Sequence, residues 1–177
     1  MTATIDQGTS RSEGHTHTLH FELRLAHPVD RVWAAVATPG GLLGWLAAAD
    51  VLEPRLGGVV TLRRLDTDAE GRHTVVEGRI TAWDVERVAE YTVDTLPGRM
   101  RFHLEPAGST GTTVRFTNEF NGDDELRLDS LAGWHNHFEY LVDALDGRPK
   151  DWSGWTPERR QELREAYVAR GRDVSRP

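Results

Sequence analysis

The sequence predicts an α+β domain in which an antiparallel sheet wraps one long C-terminal helix, and three observations predict it. Successive segments alternate apolar and polar residues with period two, as half-buried strands do. The connectors between them are too short to hold a crossover helix, which excludes parallel pairing. Near the C-terminal end Leu131, Trp134, Phe138, Leu141 and Leu145 recur at helical spacing and form an apolar stripe that must be buried against something; the inner face of the sheet is the natural partner.

Taken in order, residues 1–16 are polar, rich in Thr, Ser and Gly, and carry no apolar period, so they read as a disordered leader. His15 and His17 fall at its end, where a mobile segment offers no preorganised geometry for a metal. Leu19, Phe21, Leu23 and Leu25 then alternate with His20, Glu22 and Arg24 as the first strand. Pro28 stands where a first helical residue is expected, and Val29, Val32, Trp33 and Val36 follow with helical spacing. Thr38-Pro39-Gly40-Gly41 ends that helix, and Leu42, Leu43, Trp45 and Leu46 suggest a second short one.

Gly57-Gly58 reads as a tight turn. Beyond it, strand patterns run through Val60 and Leu62; Val76, Gly78 and Ile80; Tyr91 and Val93; Met100, Phe102 and Leu104; and Val114, Phe116 and Asn118. Turn chemistry separates them at Asp68-Ala69-Glu70-Gly71, Leu96-Pro97-Gly98 and Ala107-Gly108-Ser109-Thr110-Gly111. Asp123 suits an N-cap, and Asp124 and Glu125 in the next turn suit the helix dipole. Gly147-Arg148-Pro149 stops the long helix. Residues 148–177 form an extension with Trp152 and Trp155, then Thr156-Pro157 opening a charged helix over about 157–170 that docks through Leu163, Ala166 and Tyr167. The organisation is thus a leader (1–16), a domain (17–147) and an extension (148–177).

Composition bounds the function. The 177 residues are 38% hydrophobic and 28% charged, within the range of one globular domain. The absence of cysteine removes disulfides, thiolate catalysis and zinc–cysteine sites, and fits a reducing, cytoplasmic compartment. The longest apolar run, residues 42–49, falls far short of the ~20 residues a membrane span needs. A net charge of −7 is the wrong sign for tracking a phosphate backbone, so neither membrane nor nucleic acid is expected as a partner.

Particular residues carry a family resemblance. The segment Ala26-His27-Pro28-Val29-Asp30-Arg31-Val32-Trp33 resembles the strand-to-helix entry of the START-like (SRPBCC) superfamily, and Trp45 falls where a second tryptophan is common. Gly57-Gly58, Gly78-x-Ile80, Gly111-Thr112-x-Val114-x-Phe116 and Gly133-Trp134 follow in the family's order. The branch it is most similar to is that of the C-terminal domain of the activator of heat-shock protein 90 ATPase. The resemblance implies a helix-grip fold: a seven-stranded antiparallel sheet around the C-terminal helix, with two short helices after the first strand and a cavity between sheet and helix. Two departures stand out: Val85-Glu86 replaces a frequent Pro-Pro pair, and Asn118 stands where a histidine is frequent.

Alternation sends mainly Leu, Val, Ile, Met and Phe inward, whereas Glu22, Arg24, Glu77, Arg79, Arg99, Arg101, His103 and Glu105 fall on the solvent parity. The candidate ligand-binding residues are Trp45, Tyr91, Phe102, Asn118, Trp134, His135 and Phe138. Asn118 is the polar exception on an apolar wall, either orienting a ligand or satisfied by neighbouring backbone. His135 and His137 are two residues apart on a helix, about 200° in rotation, and cannot share one metal ion. No catalytic residue, metal or cofactor is expected. The leading expectation is binding of a small hydrophobic or aromatic molecule. The alternatives are a START-like enzyme such as an aromatase/cyclase or hydrolase, and a chaperone-interacting module. Besides that ligand, a second copy of the chain in a homodimer stays open as a partner.

Overall fold

A computed structural model describes residues 4–66 and 73–174. Strands β1 (Thr9–Glu13) and β2 (Thr16–Leu25) are followed by the short helices α1 (Val29–Ala37) and α2 (Pro39–Leu43). Six more strands follow: β3 (Ala47–Leu52), β4 (Val59–Arg64), β5 (Val75–Asp84), β6 (Val88–Val93), β7 (Arg99–Ala107) and β8 (Gly111–Asn121). The long helix α3 (Asp124–Leu145), a single 3-10 turn (Trp152–Gly154) and helix α4 (Glu158–Val174) complete the chain. The strands make one antiparallel sheet in the order β1-β2-β8-β7-β6-β5-β4-β3.

The sheet has eight strands and not seven, and the extra one comes from the leader that lacks any apolar period. β1 pairs with β2 from Thr9 opposite His20 to Glu13 opposite Thr16. An edge strand with both faces open needs only backbone pairing, and its sequence, Thr-Ser-Arg-Ser-Glu, is suitably polar. The expectation of a disordered leader therefore fails over these residues. The approach to β1 is also anchored: Ile5 is buried, and the Gly8 N–H donates to the Tyr167 hydroxyl at 2.9 Å. A Cβ at Gly8 would lie 2.4 Å from the Phe21 ring, so only glycine lets the chain pass there.

Two further boundaries move. The second short helix is Pro39–Leu43, with the Thr38 hydroxyl accepting from the Gly41 N–H, and Pro28 is the N-cap of α1 rather than its first helical residue. The chain from Ala47 then enters β3, whose alanine-rich, bulged sequence gives no alternation to read. The turn expected at 68–71 lies outside the described residues.

Register explains the core. Leu19, Asn118, Met100, Tyr91 and Ile80 oppose one another in a row across β2, β8, β7, β6 and β5. Phe21, Phe116 and Phe102 form the next row. Onto these rows α3 lays Leu131, Trp134, Phe138, Leu141 and Leu145, all buried. Asp123 caps that helix by accepting the Leu126 N–H at 2.8 Å. Phe138 is fully buried against Phe21, Phe116, Trp45 and Trp134, so Phe138→Ala would cost about 3–5 kcal/mol.

Helix α4 packs along α3. Among its described side chains Leu163 and Tyr167 are buried, whereas Ala166, expected to dock with them, is exposed because it falls on the outer face. Arg159 makes a two-pronged bond to Glu139 at 2.7 and 3.0 Å. Arg164 bonds Asp129 at 2.5 Å and also pairs with Glu125. Exposed ion pairs contribute little each, so the buried Leu163 and Tyr167 carry most of the docking.

Candidate functional site

The sheet does not close evenly on α3. Toward the β3–β5 edge it leaves a cavity of about 500 Å³ between the strands and the two long helices. Period-two alternation turns Leu62 of β4, Val76 of β5 and Met100 of β7 into it. On α3 the row Leu126, Ser130, Gly133 and His137 faces the space, with Trp134 beside it. Helix α4 closes another side with Arg160, Gln161 and Arg164.

The polar end is built around Asp66, just past β4. Its carboxylate is almost wholly shielded and receives two bonds from Arg64, at 3.1 and 2.7 Å. Arg160 Nη1 lies 3.8 Å and His137 Nε2 3.9 Å from Asp66 Oδ2. Burial pushes the Asp66 carboxyl up, but the Arg64 hydrogen bond and the charges of His137, Arg64 and Arg160 outweigh it and hold it below its ordinary value. Burial lowers the His137 pKa, and the opposing pull of Asp66 and of the Trp45 carbonyl does not restore it. His137 Nδ1 donates to the Trp45 carbonyl at 2.8 Å. A carbonyl can only accept, so this contact fixes the proton on Nδ1 and leaves Nε2 of the neutral ring an acceptor.

Of the seven residues picked from the sequence, Trp134 alone lines this cavity. Trp45 and Tyr91 are buried and spend their polar ends on α1: Trp45 Nε1 donates to the Ala35 carbonyl and the Tyr91 hydroxyl to the Val36 carbonyl, both at 2.8 Å. Those carbonyls belong to the last turn of a helix, which has no intrahelical donors left for them. Phe102 and Phe138 are fully buried in the aromatic core. Asn118 is fully buried, with both amide protons given to the Pro97 and Arg99 carbonyls and its oxygen taken by Trp134. His135 turns the other way, its Nδ1 2.8 Å from the Tyr167 hydroxyl. That hydroxyl accepts the Gly8 N–H and shares a hydrogen bond with the His135 ring, pinning leader, α3 and α4 together.

Sequence reasoning missed His137, Arg64, Arg160 and Gly133. The signal for the helix residues was present: Leu126, Ser130, Gly133 and His137 recur at four, three and four, a second row whose small members sit beside the bulky stripe. Nothing in the local sequence of α4 marks Arg160 as a cavity residue. Among the described residues no group of three or more His, Cys, Asp or Glu could hold a metal ion. No helix among them is long and apolar enough to cross a membrane.

A helix-grip sheet with a lateral cavity beside its C-terminal helix defines a START-like domain. The sequence profile of the family described as Activator of Hsp90 ATPase homolog 1-like protein matches residues 26–146, and the chain belongs to that family. No curated protein matches. Among solved structures, a conserved protein of unknown function from Enterococcus faecalis aligns with TM-score 0.69 at 14% identity, covering 96% of this chain and 92% of the other. CalU16 from Micromonospora echinospora aligns with TM-score 0.67 at 19% identity, over 94% and 98% of the two chains. A Bordetella parapertussis protein aligns with TM-score 0.62 at 23% identity, over 92% of each. These likenesses are of fold.

Proposed function

We propose that the protein binds a small hydrophobic or aromatic molecule in the cavity between β4, β5, β7, α3 and α4. The observation that carries this reading is the cavity itself: about 500 Å³ of space, walled by Leu62, Val76, Met100 and Trp134, beside an aromatic core that is otherwise closely packed. That volume falls within the range of small-molecule sites, and a mostly apolar wall with a few polar groups at one end is how such sites combine affinity with orientation. On this reading Trp134 offers its ring to the ligand. Trp45, Tyr91, Phe102, Asn118 and Phe138 hold the wall in place from behind, and His135 ties down α4.

Mass spectrometry of an organic extract of the natively purified protein tests this directly, together with titration of aromatic and acyl compounds followed by tryptophan fluorescence. A co-purifying molecule, or a saturable change in emission, is the expected result. An empty extract and no saturable response from any compound would overturn the reading.

A further inference from the structure

Resting on that reading, we propose that the ligand carries a hydroxyl group on its aromatic body, as a phenol or enol does. The hydroxyl donates its proton to His137 Nε2 and accepts from the guanidinium of Arg160.

The assignment follows from what the charged and imidazole groups around Asp66 have left to offer. His137 and Arg160 both line the space, and the atoms His137 Nε2 and Arg160 Nη1 lie 3.9 and 3.8 Å from one Asp66 oxygen at its margin. Arg64 is committed to Asp66 through two bonds, and Arg164 to Asp129 and Glu125. His137 Nδ1 is committed to the Trp45 carbonyl, so Nε2 faces the Asp66 side as a bare acceptor. The nearest carboxylate oxygen is 3.9 Å away and is itself an acceptor, so it cannot satisfy a neutral Nε2. Among the described residues no group hydrogen-bonds to that nitrogen.

Arg160 contributes the complementary donor. Its Nη1 stands 3.8 Å from the same Asp66 oxygen, beyond hydrogen-bond length, and its guanidinium rests over the Trp155 ring. An acceptor and a donor that converge on one carboxylate, with apolar walls leading up to them, match a group that both gives and takes a hydrogen bond. A hydroxyl does both with one atom. A carboxylate would offer nothing to His137 Nε2 and would crowd Asp66. Burial, with Arg64 and Arg160 close by, keeps the imidazole neutral and therefore an acceptor. Arg160 lies outside the residues matched by the family profile, so this polar end is completed by the C-terminal extension.

The test uses three probes of one shape on the full chain: a naphthol, its methyl ether and the corresponding methylnaphthalene, titrated with tryptophan fluorescence. The naphthol alone can donate, yet it is the most water-loving of the three, so simple hydrophobic partition would rank it last. It is expected to bind about threefold to tenfold more tightly than either of the others, the contribution of a buried hydrogen bond. His137→Phe should abolish that preference, so that the variant binds the naphthol no more tightly than methylnaphthalene, and Arg160→Met should reduce it in part. Equal binding of all three probes to the wild-type chain overturns the hydroxyl assignment and leaves the binding reading standing. A preference that survives in His137→Phe overturns the role of that residue. Should that variant fail to fold, the wild-type ranking still decides the ligand class. If none of the three binds, the hydroxyl assignment is overturned, and the native extract with the wider compound panel decides the binding reading.

Discussion

Trp134 donates its indole proton to the Asn118 side-chain oxygen at 2.9 Å, while the Asn118 amide donates to the carbonyls of Pro97 and Arg99 at 2.7 and 2.9 Å. One buried amide thus ties α3 to the β6–β7 turn and fixes the ring that forms a wall of the cavity. Asn118→Leu keeps the volume but leaves the indole N–H and both carbonyls without their partner. Each such orphan costs about 1–3 kcal/mol, so the variant is expected to lose at least about 2 kcal/mol in denaturant unfolding. A loss below about 0.5 kcal/mol, the level typical of surface changes, would show that water or a rearranged turn takes over the bonds.

The Tyr167 hydroxyl joins α4 to both the leader and His135 through hydrogen bonds, at 2.9 Å to Gly8 and 2.8 Å to His135. Tyr167→Phe keeps the ring and removes that junction. The buried Gly8 N–H then lacks an acceptor, a cost of about 1–3 kcal/mol that falls on the least anchored segment. Brief proteolysis should cut the variant ahead of β2 faster than the parent, with α4 still protected by Leu163. Equal cutting rates would mean that strand pairing alone holds the leader.

Protonation should loosen the cavity. The His137 pKa is lowered in the folded chain, first by burial and further by Arg64 and Arg160, with Asp66 opposing. His135 is lowered in the same direction by burial and Arg159, with Glu139 opposing. The unfolded chain therefore takes up protons first as pH falls. The stability these groups contribute is complete above 6.5, their ordinary value, and is lost as pH drops toward their lower folded values. Asp66 is also lowered, so its contribution is lost only below 3.8. The melting temperature should decline from about pH 6.5 downward, and less steeply in His137→Gln. A wild-type melting temperature that stays flat from about pH 7 to 5 would contradict this.

The fold was legible because its signals are local and periodic. The strand alternation around Phe21, Phe102 and Phe116, and the stripe through Trp134 and Phe138, specify which faces meet. β1 was hidden because an exposed edge strand is held by backbone bonds that no side-chain pattern records. β3 was hidden because Ala47-Ala48-Ala49 has no contrast between faces. Alternation turned Asn118 inward, left the parity of Tyr91 open and said nothing of Trp45; all three are buried, yet burial did not make them cavity residues. Each has a polar end that a buried carbonyl or indole claims first, and that pairing depends on how α1 and the β6–β7 turn come to lie. The polar end of the cavity joins Arg64, His137 and Arg160 from three elements remote in sequence, which only the tertiary structure brings within 4 Å of one carboxylate.

Gly133 offers the most direct control over the cavity. It sits in the interior of α3, where glycine costs about 0.8–1 kcal/mol relative to alanine, and a Cβ there would meet nothing within 4 Å. No close contact demands glycine at this position; what its missing side chain leaves is room on the cavity wall. Gly133→Ala should therefore stabilise the protein by about 1 kcal/mol in thermal or denaturant unfolding. Gly133→Leu should keep most of that gain while its side chain enters the space beside Trp134, so ligand titration should weaken in the order glycine, alanine, leucine as stability holds or rises. Opposite trends in stability and binding are what a position kept small for a ligand must give. If Gly133→Leu binds every probe as tightly as the parent, the cavity beside Trp134 is not where the ligand sits.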